Sequence, residues 1–554
     1  MAVPHHWGVR RADPNPAPSA PLWWDPDAGA PLGGAEVWRD CSRVRAAWSR
    51  SADVVIVGGG FTGLWSAYYL LQARPDLDVL VLEAQRVGFG ASGRNGGWVS
   101  ALFPVPADDL ARRHGEAAAR SLLAALRETV VEVGEVVAAE AMPGVGYHRG
   151  GTVALARTPA QVTRAQAGVA AARPWDEGTV WLPAAEARER MAGAGVLGAT
   201  YNPHCARVQP MALVQGLAAA VRRLGGRIVE GVRVSGAEPG CVHTDSGTVR
   251  AAHVLRATEA WTAALTGLRR RVAPVYSLIV ATQPLAPSVW KRIGLADFEV
   301  FTDHRHEIVY GQRTEDGRLV FGGRGAPYHF GSAIAPRFDA DAQVFARLRA
   351  TLRDLLPQLG DVEFTHAWGG PLGIPRDWHP SVTYDRSVRV GSAGGYVGDG
   401  VAAANLAGRT LADLVLGLDT PLTRLPWVGH RSPDWEPEPL RWLGVNAGLR
   451  LAALADREEA RTGSPARLGR VLAALTGHWP RRARRVRSMA DIRRAGAGRQ
   501  PSAGPRFIPA DHIGGPGQAQ LPQIPGREGT GEAVPADEDV TGVPVRRLGD
   551  PPLV

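Results

Sequence analysis

The sequence predicts an α/β fold with a tail that does not fold. Two observations carry the fold class. Between Asp53 and about Gly429, short β-branched runs alternate with Ala-, Leu- and Arg-rich stretches of helical character. The first apolar run, DVVIV at 53–57, leads straight into closely spaced glycines and then a helical stretch, LWSAYYLLQ. A third observation bounds the fold: beyond Arg481 the chain is dominated by Pro, Gly and charged residues and lacks the apolar content of a core.

These readings divide the chain. Residues 1–48, rich in Pro, Trp and small residues, form an irregular leader; 49–425 hold the α/β body. Residues 426–480 carry SPDWEPEPLRW and then the helical pattern LRLAALADREEA, and 481–554 form a tail that is first basic (RRARRVRS) and then disordered. No internal repeat is visible.

Composition excludes several classes. The 554 residues are 45% hydrophobic with a mean hydropathy of −0.12, values of an ordinary globular chain. No stretch approaches the roughly 20 apolar residues that span a bilayer. The first twenty residues lack the apolar core of a secretory signal, so a cytoplasmic location is expected. Cys41, Cys205 and Cys241 are too scattered for a disulfide framework or a zinc site, and no metal is expected. The net charge of +9 invites a nucleic-acid partner. However, Lys291 is the one lysine among 63 basic residues, which points to a coding bias toward arginine, and no recognition motif accompanies the charge. No nucleic-acid partner is expected.

The glycines carry the function. Gly58, Gly60 and Gly63 follow the strand in GxGxxG spacing, with Phe61 and Thr62 between them. They provide a tight turn, close approach of a pyrophosphate and close packing of helix on strand. The N-terminus of that helix offers N–H groups and a positive dipole to phosphate. The next strand, VLVLE, ends in Glu83, twenty residues past Gly63, the spacing of the acid that accepts from an adenosine ribose. Strand, glycines, helix, strand and acid in register define a dinucleotide site. An acid at 83 argues against a 2′-phosphate and so against NADP. In the second cluster, GFGASGRNGG, glycines surround Ala91, Ser92, Arg94 and Asn95, with Gly96 and Gly97 closing it. Such a loop lets backbone lie against a flat ring and a phosphate together. Taken by itself it is equally a flexible glycine loop.

DVVIVGGGFTGLWSAYYLL followed by GASGRNGG resembles the FAD-dependent amino-acid and amine oxidoreductases, the superfamily of D-amino-acid oxidase, glycine oxidase and sarcosine oxidase. Within it, the bacterial gamma-glutamylputrescine oxidase-like branch is the most similar. The resemblance covers roughly residues 20–425. It extends to GGRIVEGVRVSG, where Val234 matches the family's adenine-side backbone contact, and to HTDSGTVRAAHVLRATEAWT, where Thr258 ends a strand beside the cofactor. It also extends to AGGYVGDGVAAANLAG, where Gly395, Tyr396, Gly398, Gly400 and Val401 match the loop that lies against the flavin. The resemblance implies a discontinuous FAD-binding Rossmann-like domain (about 49–110, 205–272 and 365–425) with an inserted α+β substrate domain on an antiparallel sheet (about 111–204 and 273–364).

The resemblance further implies FAD as cofactor and oxidation of a C–N bond in an amine or amino acid by hydride transfer to flavin N5, with the imine then hydrolysed. Electrons pass to oxygen or, in the alternative, to a quinone or carrier; a non-catalytic FAD-binding protein is the rival outside enzymes. One branch attaches its flavin through a cysteine in the substrate-domain half. None follows Cys241, so FAD is expected to be non-covalent. That branch also uses a lysine near the flavin for oxygen, and Lys291 reads as lying on an exposed helix. Candidates for the substrate cavity are Tyr276, Tyr310, Arg324, His366 and Trp368, each of which also fits a packed strand. In HAWGGPLGIPRDWHP, Asp377 is expected to organise a turn.

Overall fold

The computed structural model describes residues 20–25 and 50–469. The expected tail at 481–554, most of the leader and the end of the helical extension lie outside them. The described residues belong to one compact unit, which ends at Arg481.

DVVIV is covered on both faces, so it takes the centre of a sheet. The strand Ser51–Val57 is flanked by Val79–Leu82 on one side and Gly247–Arg256 on the other, all parallel. Arg227–Val229 extends the parallel sheet beyond Val79–Leu82. Val390–Gly394 extends it on the other side, and Ser381–Asp385 closes that edge antiparallel. A meander through Val234–Glu238 and Cys241–Thr244 pairs back onto Gly247–Arg256.

Two helices cover this sheet. Phe61–Ala73 follows the first glycine turn, and Gly400–Leu416 follows the last. They touch almost backbone to backbone: a Cβ on Gly408 would stand 2.5 Å from the Cβ of Trp65 and 2.8 Å from its carbonyl carbon. Asn405 donates to the Tyr69 hydroxyl across the same contact at 2.9 Å. Helix Glu116–Ala139 packs alongside, with Arg409 donating to Thr129 at 2.6 Å.

The second sheet has eight strands in the order Phe364–Ile374, Ala273–Thr282, Leu319–Arg324, Val309–Arg313, Val300–Asp303, Thr152–Ala156, Gly198–Asn202 and Val180–Pro183. All its pairings are antiparallel except Val300–Asp303 with Thr152–Ala156. The chain therefore visits the parallel sheet, the second sheet, the parallel sheet and the second sheet again, before closing on the parallel sheet. That is the discontinuous α/β architecture expected. The strand Phe364–Ile374 belongs to the second sheet, whereas the sequence boundary at about 365 assigns it to the cofactor-binding part.

The expected extension forms helix Leu440–Thr462. Its Asp456 accepts from the backbone N–H groups of His306 and Glu307, and its Glu459 pairs with Arg164 at 2.5 Å. Among the described residues, no helix is long and apolar enough to cross a membrane.

The Gly408 contact yields a stability prediction. Gly408→Val forces two helix backbones apart and is expected to lower unfolding free energy by about 1–3 kcal/mol through overpacking. Thermal unfolding measures this. An unchanged melting temperature contradicts the close helix contact.

Candidate active site

The first glycine turn sits where three backbones converge. Gly58 has φ +112°, and a Cβ there would lie 2.4 Å from the carbonyl oxygen of Ala257 at the end of the neighbouring strand. No other residue fits that conformation and that gap. A Cβ on Gly63 would come within 2.0 Å of the Gly58 carbonyl oxygen, so Gly63 packs helix on strand and faces no cavity.

Ser92 joins the two glycine clusters, its Oγ accepting from the Phe61 N–H at 2.8 Å at the start of the helix. Asn95 holds the second loop in shape: its amide donates to the carbonyls of Ala91 and Ser92, and its Oδ1 accepts from Gly97 N–H at 2.7 Å. Gly96 and Gly97 are needed for fit, since a Cβ would meet the Tyr310 ring in one case and Gln312 and the Val208 carbonyl in the other.

A cavity of about 1270 Å³ opens between these elements. Of the residues read from the sequence, it brings together Gly58, Gly60, Phe61, Thr62, Glu83, Ala91, Ser92, Asn95, Val234, Thr258, Tyr396, Gly398, Gly400 and Val401. Glu83 accepts from the Gly59 and Gln85 N–H groups at 2.8 and 2.9 Å, and its withdrawal from water raises its pKa, partly offset by these bonds. Tyr396 ties the last loop to the first, with its hydroxyl 2.9 Å from Thr62 Oγ1.

Arg94, Gly96, Gly97 and Gly395 stand outside that cavity. The Arg94 guanidinium is occupied structurally. It donates to the Phe89 and Gly369 carbonyls, pairs with Asp339 at 2.6 Å and lies over the rings of Trp24 and Phe89. Gly395 lines a different, open cleft beside Gly394 and Pro375.

A second cavity, about 1040 Å³, adjoins the first and shares Ala91, Asn95, Leu372, Gly398 and Val401 with it. Tyr310 and Arg324 line it together with Arg94, Trp98, Ser277 and Asp399. The Tyr310 hydroxyl lies 2.8 Å from Ser277 Oγ. Asp399 keeps some accessible surface because it faces the cavity, but protein surrounds it otherwise. That desolvation raises its carboxyl to about 6, although Arg324 opposes the shift. Arg324 also donates to the Val397 carbonyl.

Three expected cavity residues lie elsewhere. Tyr276 points away because side chains alternate along a strand: Ser277 and Ile279 of Ala273–Thr282 face the cavity, so Tyr276 faces the opposite side. There it packs edge-on against His329 and Phe338 and accepts from Ala335 N–H. His366 and Trp368 share the face of Gly370 and Leu372, but the leader covers them. The turn Leu22–Trp24 is buried against the second glycine loop. Trp23 and Trp24 donate their indole N–H groups to the Asn95 and Gly93 carbonyls, both at 2.8 Å. Trp23 meets Trp368 edge-on, Asp25 contacts His366 Nε2 at 3.1 Å, and Trp368 donates to the Arg94 carbonyl.

Sequence reasoning missed this role of the tryptophans, and it missed Asp399, Trp98 and Ser277. Asp399 carried a signal, since it stands between two glycines already assigned to the site. Asp377 accepts from His379 N–H, the turn contact expected of it. Lys291 is exposed on helix Pro287–Ile293.

A glycine-lined dinucleotide cavity at the carboxyl ends of a parallel sheet, joined to a side cavity under a second sheet, defines a dinucleotide-dependent oxidoreductase of the two-domain type. The particular family follows from comparison: the model of the DAO family, FAD dependent oxidoreductase, matches residues 53–414, and the chain belongs to that family. It is similar to the probable oxidoreductase OrdL of Rhizobium meliloti, 32% identical over 400 residues that cover 68% of this chain and 86% of OrdL. It is also similar to gamma-glutamylputrescine oxidoreductase of Escherichia coli, 29% identical over 67% of this chain and 84% of that protein. Among solved structures, glycine oxidase from Geobacillus kaustophilus superposes with a TM-score of 0.55 at 25% identity, covering 69% of this chain and 99% of the enzyme. The chain is thus an FAD-dependent oxidoreductase of the amine and amino-acid oxidase type.

Two substitutions test the cofactor cavity. Glu83→Ala is expected to weaken FAD binding by about 1–3 kcal/mol by removing a charged acceptor, measured by titrating the apoprotein with FAD; unchanged affinity contradicts the placement of the acid. Gly398 has φ +104°, and a Cβ there would lie 3.0 Å from an Arg324 guanidinium nitrogen. Gly398→Val adds backbone strain of about 1–3 kcal/mol and fills the junction of the two cavities. The variant is expected to purify with little flavin. A full flavin complement with a wild-type spectrum removes this loop from the site.

Proposed function

We infer that the protein oxidises the C–N bond of an amino acid or a related amine that carries both an ammonium and a carboxylate. The observation that carries this reading is the pair of opposite charges, Arg324 and Asp399, in a cavity that shares five lining residues with the cofactor cavity. The residues present fit FAD. Gly58, Gly60, Gly90, Gly398 and Gly400 leave the cavity wall bare of side chains, and a Cβ on Gly90 would meet nothing nearer than the Trp261 indole nitrogen, 3.7 Å away. The contacts are non-covalent in this reading, with Glu83 toward the ribose and the N-termini of helices Phe61–Ala73 and Gly400–Leu416 toward the charged parts of the dinucleotide.

When bound, FAD supplies a two-electron acceptor for the hydrogen on the carbon that bears nitrogen, leaving an imine that water hydrolyses. The protein's task is placement. Arg324 donates to the substrate carboxylate in a fork geometry that lysine cannot match. Asp399 holds the ammonium and receives the proton that must leave before the nitrogen can push electrons toward the carbon. Leu372 and Val401, at the junction, exclude water from the reacting carbon, and the Ser277–Tyr310 pair offers a hydroxyl for substrate specificity. The relatives' names support a nitrogen substrate: one acts on gamma-glutamylputrescine, another on glycine.

The test is a panel of amino acids and amines given to the purified protein, with flavin bleaching followed without oxygen and hydrogen peroxide assayed with it. Bleaching by a carboxylate-bearing amine supports the reading, and no bleaching by any member contradicts it. Peroxide release marks oxygen as acceptor; bleaching without peroxide marks a quinone or carrier.

A pH dependence follows from Asp399. Its carboxyl, raised to about 6 by desolvation, is ionised above that value and protonated below it. Its hold on an ammonium is therefore lost as pH falls through about 6, and kcat/KM is expected to drop on that side. Asp399→Asn is expected to remove this acid limb and lower kcat/KM by about 10²–10⁴-fold. An unaltered acid limb in the variant contradicts the role.

A further inference from the structure

Three histidines far apart in sequence meet on the parallel-sheet side of the molecule, among residues that line neither cavity. His114 ends helix Ala107–His114, His379 lies in the turn before strand Ser381–Asp385, and His430 follows the segment that pairs with Val382 of that strand. One ring nitrogen of each lies within 4.8 Å of those of the other two. The rings crowd together: His379 stacks on His430 with centroids 3.9 Å apart, and His114 lies 5.6 Å from His379.

The hydrogen bonds say which nitrogens are already engaged. His379 is completely buried, and its Nδ1 is 2.7 Å from the Pro380 carbonyl oxygen. A carbonyl only accepts, so Nδ1 carries the proton and Nε2 presents a lone pair. That Nε2 is buried without a hydrogen-bond partner, and so is Nε2 of His114. His430 Nε2 bonds Asp377 at 2.8 Å, which leaves Nδ1 as its donor atom. Two unpartnered imidazole nitrogens buried side by side are costly unless something binds them. A carbonyl behind one ring and a carboxylate behind another is the outer shell that orients metal-ligating histidines.

We propose that His114, His379 and His430 form a structural site for a divalent transition metal of the zinc type, with Asp377 orienting His430. Three imidazoles with a nearby carboxylate suit Zn²⁺, Co²⁺ or Ni²⁺ and do not suit Mg²⁺ or Ca²⁺, which take oxygen ligands. Arg113, 3.9 Å from Asp377, also pairs with that carboxylate, and it lowers the local negative charge without occupying the nitrogens. The metal would pin three segments together: the helix after the second glycine loop, the turn that ends the Phe364–Ile374 strand and the segment beside Val382. The expectation of no metal rested on cysteine spacing, and histidines this distant leave no spacing signature.

The full-length holoprotein, dialysed against chelator and then against Zn²⁺, is expected to retain one zinc per chain by elemental analysis and to melt at a higher temperature than the zinc-free form. Co²⁺ in its place is expected to give visible bands to the red of the flavin absorption. His379→Phe, which keeps the ring volume, is expected to lose both the zinc and the thermal shift while keeping its flavin spectrum. Asp377→Asn is expected to weaken Zn²⁺ binding about 10–100-fold. Two other groups, Glu238 with Cys241 and His243, and His306 with Asp456 and Glu459, also bring ligand atoms together, so Cys241→Ser and His306→Phe are the controls and should keep the zinc. Wild-type protein without retained zinc overturns the proposal, and so does equal retention by His379→Phe.

Discussion

The close approach of backbone to backbone around Gly58 governs the rest of the molecule. The first strand, its helix and the strand ending at Ala257 meet there with gaps that admit no Cβ. That contact fixes the helix Phe61–Ala73 on the sheet, and the helix in turn sets the position of Gly400–Leu416 through Trp65 and Gly408. The loop before the second helix carries Gly398 and Asp399, so the wall between the two cavities is placed by packing that begins at the first glycine turn. Ser92 adds a polar link, since it caps the same helix from the second glycine loop.

This dependence explains what was legible in the sequence. GxGxxG, the buried runs DVVIV and VLVL, and Glu83 are local patterns whose geometry is forced by short-range sterics, and the structure gathers them about one cavity. Gly63 packs helix on strand against Gly58, the role its place in GxGxxG implies, whereas the reason for Gly97, its fit against Gln312 and the Val208 carbonyl, was not legible. The division into two parts was legible through the family resemblance, whose glycine-rich matches lie near both ends of the α/β body.

What was not legible depended on which face of a strand turns inward, or on contacts between distant segments. Tyr276 and Ser277 are adjacent, and only the pairing of Ala273–Thr282 with its neighbours decides that Ser277 faces the cavity. His366 and Trp368 share a strand face with cavity residues, yet Trp23 and Asp25, more than 300 positions earlier, cover them. An irregular Pro- and Trp-rich leader has no periodicity that announces such docking. Glu259 is a further case. It lies on the cofactor-cavity wall with Oε1 accepting from Tyr396 N–H, and desolvation raises its carboxyl to about 7. No motif marked it, because its surroundings come from other strands and loops: backbone groups of Tyr396, Gly395 and Gly373 face its carboxylate and partly oppose the shift.

In the proposed reaction, substrate and flavin meet where the two cavities join, at Ala91, Leu372, Gly398 and Val401. A crystal structure of the holoprotein with an unreactive carboxylate-bearing amine analogue tests this directly. The flavin ring is expected in the first cavity, the analogue in the second with its carboxylate on Arg324 and its nitrogen toward Asp399, and the carbon that bears nitrogen at the junction. An analogue bound away from Arg324, or a flavin ring that does not reach Gly398, would contradict it.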